Sequence, residues 1–212
     1  YDGAPTSVTA FVGTAPKIAA VVFAFRILVT GMGTIHSDWA PMLAILAVAS
    51  LVVGNLAAIM QTNIKRMLAY STVSHMGFIL LAFMAGAVGF TAGLYYAITY
   101  ALMATVSFGV LMVLSTKDIE CENIKDLAGL NQRHAWFAFL MLLSMFSMAG
   151  IPPLMGFYAK FGMIMALLKQ GYVWLSVFAV IMSLIGAFYY LRVVKVIYFD
   201  APDHDQPVGS RS

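Results

Sequence analysis

The sequence predicts an all-α protein: a bundle of transmembrane helices in which one helix is discontinuous. Apolar residues make up 62% of the 212 residues and charged residues only 10%, whereas soluble proteins have about 45–50% and about 25%. The apolar residues form long continuous runs without alternating polarity, which favours helices over the strands of a membrane barrel. A double proline interrupts one of these runs, and it predicts the break.

Six apolar runs are long enough to cross a membrane, since a helix needs about 20 residues to span a hydrocarbon core of about 30 Å. The predicted spans are Val8–Thr30, Trp39–Gln61, Met67–Val88, Thr91–Leu114, Trp136–Leu168 and Tyr172–Phe199. The connections are short except for Ser115–Arg133. We therefore expect one membrane domain over the whole chain, followed by a polar tail at 200–212.

The fifth span is too long for a simple crossing, because it would extend about 50 Å as one continuous helix. Gly150, Pro152 and Pro153 lie near its middle. Two adjacent prolines remove two backbone donors and clash with the preceding turn. We predict half-helices at about Trp136–Ala149 and Leu154–Leu168. Irregular backbone inside a membrane is tolerated where it is buried in protein or lines a polar cavity.

Basic residues in the connections are concentrated on one side of the predicted bundle. The other side has only Lys169 and, near a helix end, Arg26. The richer side holds Lys65, Arg66, Lys117, Lys125, Arg133, Arg192 and Lys195. By the positive-inside rule, that side faces the cytoplasm of a bacterium or the matrix of a mitochondrion. We expect the bacterial inner membrane, with the mitochondrial inner membrane as the alternative.

Lys17 and Lys160 lie near the middle of apolar runs, without an acidic neighbour along the sequence. A charge at the bilayer centre costs roughly 2.5–3.5 kcal/mol on insertion scales, so such residues usually face a wet or paired interior. The alternative is a lysine that snorkels to a headgroup, but Lys17 is about ten residues from either end of its span. Desolvation and neighbouring charges both change the proton affinity of a buried lysine. These two lysines are therefore the first candidates for a proton relay.

His75 and Lys65 are further relay candidates, each with an alternative. His75 shares a helix face with Ser71, one turn earlier, so it is either a titratable relay group or a histidine hydrogen-bonded to a neighbouring helix. Lys65 follows an apolar run, where a membrane anchor is equally expected. The other histidines are in or beside loops and are expected to have no role: His36, His134 and His204.

The residue pattern argues against several other functions. Histidines and carboxylates do not have metal-ligand spacing on any helix, and neither a phosphate-binding glycine motif nor a nucleophile elbow is present. The single Cys121 excludes an internal disulfide framework. A net charge of +3 is too small to suggest nucleic acid. We expect no catalytic residue, metal or cofactor in this chain, and partners that include the lipid bilayer and protons.

Several motifs resemble the antiporter-like membrane subunits of respiratory complex I. They cover the chain in the family's order: Tyr1–Thr6, Gly54–Ala58, Gln61–Ser71, Ser74–Gly77, Ala149–Pro153 and Tyr189–Lys195. Subunits of sodium/proton antiporter complexes share the type of motif in Lys65–Ser71. The first residues also read like an interior loop, so we expect the chain to be a segment of a longer protein.

The resemblance implies fourteen helices with two inverted five-helix repeats, of which this chain would cover the eighth to the thirteenth helix. Lys17 would match the lysine of the eighth helix, which links two half-channels. Lys160 would match the lysine of the broken twelfth helix, on the outlet side. A glutamate and a second lysine would lie upstream of Tyr1, which agrees with the position of all 9 acidic residues in loops or termini.

The resemblance also implies a function, namely proton translocation as a subunit of NADH:quinone oxidoreductase. Protons would enter from the cytoplasmic side, pass Lys17, His75 and bridging waters, and leave past Lys160. NAD, FMN, iron–sulfur clusters and quinone would be bound by partner subunits, and the other membrane subunits of the complex would be its neighbours. Two alternatives remain: a subunit of a cation/proton antiporter, and a structural membrane scaffold without a proton path of its own.

Overall fold

The computed structural model describes residues 6–115 and 121–201, and these residues form a helix bundle. Its helices are α1 (Thr6–Phe25), α2 (His36–Met60), α3 (Ile64–Met84), α4 (Gly86–Leu114), α5 (Leu130–Arg133), α6 (Ala135–Ala149), α7 (Met155–Lys169) and α8 (Val173–Phe199). A π-helical turn, Arg26–Gly31, extends α1. Within the described ranges no strand occurs, and one isolated bridge pairs Asn63 with Asn123. The all-α prediction is confirmed; most of the predicted tail, 202–212, lies outside the described residues.

Four helical segments of the described chain are long and apolar enough to cross a membrane. They are Gly33–Met60, Ile64–Met84, Gly86–Leu114 and Val173–Phe199, and Ala135–Ala149 is a shorter apolar helix. Large apolar side chains point outward from this bundle, for example Trp174, which is 78% exposed. Such an outer surface suits a hydrocarbon environment and would be a liability in water.

The central helix of the bundle is α3, which is buried over most of its length. It packs most closely on α2 through Gly54, where a Cβ atom would be 2.5 Å from the backbone nitrogen of Ser74. Membrane helices commonly associate through small residues that let their backbones approach. This packing places the polar face of α3, including Ser71, Thr72 and His75, in the interior.

The break in the fifth predicted span is confirmed, and its geometry follows from the residues around it. Gly150 has a φ of +88°, and its N–H donates to the carbonyl of Ser147 while the N–H of Ile151 donates to Phe146, both at 3.0 Å. This is the Schellman motif that ends many helices at a left-handed glycine. Pro152 and Pro153 have no N–H to continue the helix, so α6 ends at Ala149 and α7 begins at Met155.

The two ends of the bundle differ in chemistry, as the basic residues predict. At one end, the N–H of Ile64 donates to the carbonyl of Glu122 at 2.7 Å, which fastens the loop after α4 to the start of α3. Arg192 of α8 reaches the same end and donates to the carbonyls of Ile59 and Gln61. The opposite end has a cavity of about 480 Å³, lined in part by His36.

Cys121 lies in the loop at the basic end, and its thiol is buried. Burial raises the pKa of the Cys121 thiol to about 12, and the nearby carboxylate of Asp126 acts in the same direction. Because the thiolate is the reactive species, the folded protein holds this cysteine in an unreactive form.

We expect Cys121 to react with a maleimide about a thousandfold more slowly in the folded protein than after unfolding, since an ordinary thiol has a pKa near 8.5. The folded-state rate should rise steadily from pH 7 to pH 10 without the plateau that an ordinary thiol shows. Quantitative mass spectrometry of the peptide containing Cys121 measures both rates. A plateau near pH 9 in the folded protein would contradict this assignment.

Gly54→Ala should destabilise the bundle, because its new methyl group would collide with the backbone of α3 and not with a movable side chain. We expect a lower midpoint of thermal unfolding for the full-length protein in detergent. Gly109→Ala is the matched control, since Gly109 lies within α4 with open space around it. Gly109→Ala should leave the midpoint of thermal unfolding unchanged or raise it, because alanine is more favourable than glycine within a helix by about 1 kcal/mol. Equal midpoints for both variants would show that the α2–α3 contact tolerates a side chain.

Candidate functional site

His75 of α3 lies at the centre of the bundle and is 2% exposed. Its Nδ1 is 2.8 Å from the hydroxyl of Tyr96 on α4, and its Nε2 is 2.9 Å from the hydroxyl of Tyr190 on α8. Its ring also packs on Tyr100, with centroids 4.5 Å apart. A neutral imidazole donates one hydrogen bond and accepts another, so both ring nitrogens are satisfied in the interior.

Lys17 of α1 approaches this histidine from one side. Its Nζ is buried and has no hydrogen-bond acceptor among the residues that the structure describes. It lies 5.9 Å from the ring centroid of Tyr100, within the range of a cation–π interaction. The hydroxyl of Tyr100 in turn makes a short hydrogen bond with Thr72 Oγ1. Lys17 is thus one aromatic ring away from His75.

Lys160 of α7 approaches from the other side and is 6% exposed. Its Nζ donates to the carbonyl of Ala149 at 3.0 Å and to Ser183 Oγ at 2.9 Å. In a continuous helix, the Ala149 carbonyl would accept from the N–H of residue 153, but Pro153 has none. The helix break therefore provides the acceptor that the buried ammonium needs. In the described part of the chain, no carboxylate forms an ion pair with Lys160.

Glycines shape the backbone around Lys160. A Cβ atom on Gly150 would be 3.0 Å from Lys160 Cδ and 3.4 Å from its Nζ. In the first turn of α7, the N–H of Gly156 donates to Ser147 Oγ at 3.0 Å, and a side chain on Gly156 would overlap the Ser147 carbonyl. The two half-helices thus approach each other closely and enclose the lysine.

Lys17, His75 and Lys160 together form what we call the lysine–histidine cluster. On the Lys160 side, the connecting ring is Phe78, whose centroid is 5.3 Å from Lys160 Nζ and 6.4 Å from the ring of His75. On the Lys17 side, the connecting ring is Tyr100. Three residues that are remote in sequence therefore lie near one another, with one aromatic ring between His75 and each lysine.

The structure does not bring Lys65 into this cluster. Lys65 lies in the first turn of α3, about 15 Å along the helix from His75 at 1.5 Å per residue. Its Nζ is 3.9 Å from Glu122 Oε1, at the basic end of the bundle. That position suits the anchoring alternative, and a relay role for Lys65 stays a prediction. Of the other histidines, His36 begins α2 and packs on Trp39.

Sequence reasoning missed the tyrosines and the serine that surround the cluster. Tyr96 and Tyr100 share one face of α4, one turn apart, within an otherwise apolar run. A buried tyrosine hydroxyl usually has a hydrogen-bond partner, so this pair was a detectable signal for a polar centre. Tyr190 lies in the Tyr189–Lys195 motif, but that motif did not indicate its contact with His75. Ser183 has no second polar residue one turn away in α8 and so carried no comparable signal.

A membrane helix bundle with a discontinuous helix and ionisable residues buried beside the break is the architecture of membrane transport proteins. The family described as the transmembrane region of NADH:quinone oxidoreductase and Mrp antiporters matches residues 1–186. The chain belongs to this family.

Curated relatives and solved structures agree with this assignment. NADH-quinone oxidoreductase subunit N of Neisseria gonorrhoeae is 84% identical over 209 residues, which are 99% of this chain and 44% of the relative. The same subunit of Nitrosomonas europaea is 58% identical over 98% of this chain and 44% of the relative. The chain thus spans less than half the length of these relatives.

Two solved structures share the fold. Respiratory complex I from Thermus thermophilus with bound aureothin matches with a TM-score of 0.81 and 31% identity, over 98% of this chain and 46% of the other. The Mrp complex from Dietzia sp. matches with a TM-score of 0.84 and 26% identity, over 93% of this chain and 37% of the other.

Gly150→Ala tests whether the close contact between Gly150 and Lys160 requires the absence of a side chain at position 150. The substitution combines two costs: a left-handed backbone, about 1–2 kcal/mol for a residue with a Cβ atom, and crowding against the lysine. Gly171→Ala is the matched control, because Gly171 has a φ of +82° but open space around it. We expect Gly150→Ala to lower the midpoint of thermal unfolding more than Gly171→Ala does. If both variants lower the midpoint equally, the side chain of Lys160 can move aside for a methyl group at position 150 at no cost.

Proposed function

We propose that the chain is part of a proton-translocating membrane subunit of NADH:quinone oxidoreductase, and that the lysine–histidine cluster relays the protons. One observation carries this proposal: two lysines with buried ammonium groups, neither with a carboxylate partner in the described chain, flank a histidine that is hydrogen-bonded on both nitrogens. A charged group is expensive inside a membrane and usually serves transport when it is found there.

The hydrogen bonds of His75 suit proton relay. When a proton reaches one ring nitrogen, the imidazole can release the proton on its other nitrogen and so pass a charge without moving. The hydroxyls of Tyr96 and Tyr190 lie at the two nitrogens and can accept and donate in turn. Ordered waters would complete the steps to Lys17 and Lys160, since a bridging water is nearly as good as a direct hydrogen bond.

We propose that the driving force comes from other subunits of the complex. Moving one charge through 100 mV requires about 2.3 kcal/mol. In this proposal, partner subunits bind NAD, FMN, iron–sulfur clusters and quinone, and the chain contributes to the enzyme complex only by translocating protons. Neighbouring membrane subunits would transmit the change in electric field to Lys17 and Lys160.

The proposed location is the inner membrane of a bacterium. The support is the bacterial origin of the relatives and the concentration of basic residues at one end of the bundle. That end, with Lys65 and Arg192, would face the cytoplasm. In this proposal, protons enter from that end, pass Lys17 and His75, and leave past Lys160, in the order that the family resemblance implies.

Lys160→Met in the full-length protein should abolish or strongly reduce proton pumping while assembly is preserved, because methionine keeps the apolar stem and removes the charge. Lys160→Arg should also pump poorly, since arginine stays charged and cannot release its proton. The measurement is acidification of sealed membrane vesicles, followed with a pH-sensitive dye during quinone reduction.

Lys169→Met is the matched control for this experiment. Lys169 is the last residue of the same helix and is exposed at the end of the bundle, so its loss should change pumping little. Wild-type pumping by an assembled Lys160→Met protein would remove Lys160 from the pathway. If all three cluster residues were dispensable, the structural scaffold would be the better interpretation.

A cation/proton antiporter is the second candidate, and the similarity to the Mrp complex favours it. The same lysines would serve, but proton flux would depend on sodium and not on quinone reduction. Vesicles that lack the redox subunits separate the two candidates: sodium-driven proton flux in such vesicles supports the antiporter.

A further inference from the structure

Helix α8 has two adjacent stripes of residues that contact different partners. Met182 and Tyr189, about two turns apart, both bond to Asn55 of α2. The residue that follows each of them bonds to the lysine–histidine cluster: Ser183 accepts from Lys160, and Tyr190 pairs with His75. The contacts of α8 with α2 and with the cluster therefore repeat with the same spacing.

Asn55 uses both ends of its amide to hold α8. Its Nδ2 donates to the carbonyl of Met182 at 3.1 Å, and its Oδ1 accepts from the hydroxyl of Tyr189 at 3.0 Å. It is 1% exposed, so water cannot replace these bonds. Gly186 lies between the two contacts, and a Cβ atom there would be 3.2 Å from Oδ1. The fit depends on the absence of a side chain at that position.

The geometry of an α-helix links the two stripes. Successive residues are about 100° apart around the axis and 1.5 Å apart along it. A rotation or slide of α8 that breaks the bonds to Asn55 must therefore displace Ser183 and Tyr190 by a similar amount relative to Lys160 and His75. Arg192 also holds α8 at its basic end, through the carbonyls of Ile59 and Gln61. Asn55 is the contact whose two partners directly precede the cluster residues Ser183 and Tyr190.

We infer that Asn55 is a positioning residue that fixes the rotation and register of α8, and through α8 holds Ser183 at Lys160 and Tyr190 at His75. The consequence for proton transfer rests on the proposed function, whereas the positioning itself does not. Asn55 touches neither lysine nor histidine, and it acts on both through one rigid helix. Proton occupancy at Lys160 and at His75 is then coupled through the position of α8.

Crosslinking in the full-length protein, in its native membranes and a cysteine-free background, tests the positioning directly. Lys160→Cys with Ser183→Cys provides a pair that a short methanethiosulfonate reagent can bridge. We expect Asn55→Leu to lower the crosslinking yield about threefold for each of the two interhelical hydrogen bonds that it removes, since threefold corresponds to one such bond of average strength in a membrane protein. Tyr189→Phe, which removes one of the two bonds and keeps the ring, should lower the yield less.

Ser107→Ala is the matched control. It removes a buried hydrogen bond between α4 and α6, where Ser107 donates to Ser144 at 3.0 Å, and it does not touch α8. The crosslinking yield should then equal that of the protein that carries Lys160→Cys and Ser183→Cys without a further substitution. An unchanged yield in folded Asn55→Leu protein overturns the inference. If Asn55→Leu does not fold, Tyr189→Phe decides the question: an unchanged yield in that variant overturns the inference as well.

Proton pumping provides the second measurement. In proteins without the crosslinking cysteines, Asn55→Leu and Tyr189→Phe should each reduce pumping per quinone reduced, and the double variant should lose no more than Asn55→Leu, because the two substitutions remove a shared contact. Ser107→Ala should pump normally. A lower crosslinking yield with normal pumping would support the positioning and refute the proposed role of the cluster. Additive losses of pumping would overturn the link between Asn55 and Tyr189.

Discussion

A polar group inside this bundle has a large free-energy cost unless it forms a hydrogen bond, because an apolar environment does not solvate it. The break between α6 and α7 provides one such hydrogen bond, from the Lys160 ammonium to the Ala149 carbonyl. This bond satisfies both groups at once. Pro153 removes the donor that Ala149 would otherwise have, and the lysine replaces it. The break thus leaves a carbonyl without its helical donor, and the buried ammonium bonds to that carbonyl.

The same requirement explains which parts of the structure the sequence predicts. The break is local chemistry: Gly150, Pro152 and Pro153 determine it by covalent geometry, and the observed half-helices end within one residue of the predicted ones. The buried lysines and His75 are conspicuous because a charge or an imidazole in an apolar run has a large free-energy cost. Such costs can be recognised without knowing what lies beside the residue.

The partners of these residues could not be predicted in the same way. Asn55 and Tyr189 are far apart in sequence, and their contact depends on how α2 and α8 pack, which no local pattern determines. Helix ends within apolar sequence are also hard to place. The predicted third span continues to Val88, whereas α3 ends at Met84, because the left-handed Gly86 turns the chain among residues that are as apolar as those of the helix.

The position of Lys160 at the end of α6 has an electrostatic consequence. The aligned peptide dipoles of this 15-residue helix give its carboxyl end a partial negative charge, and cations are stabilised there by about 0.3–1 kcal/mol, or up to about 2 kcal/mol in partly buried sites. Part of the negative charge that stabilises the Lys160 ammonium therefore belongs to the main chain of α6. Unlike a carboxylate, it can neither take up a proton nor swing away. In the proposed relay, the field of the backbone would stay fixed while Lys160 gains and loses its proton.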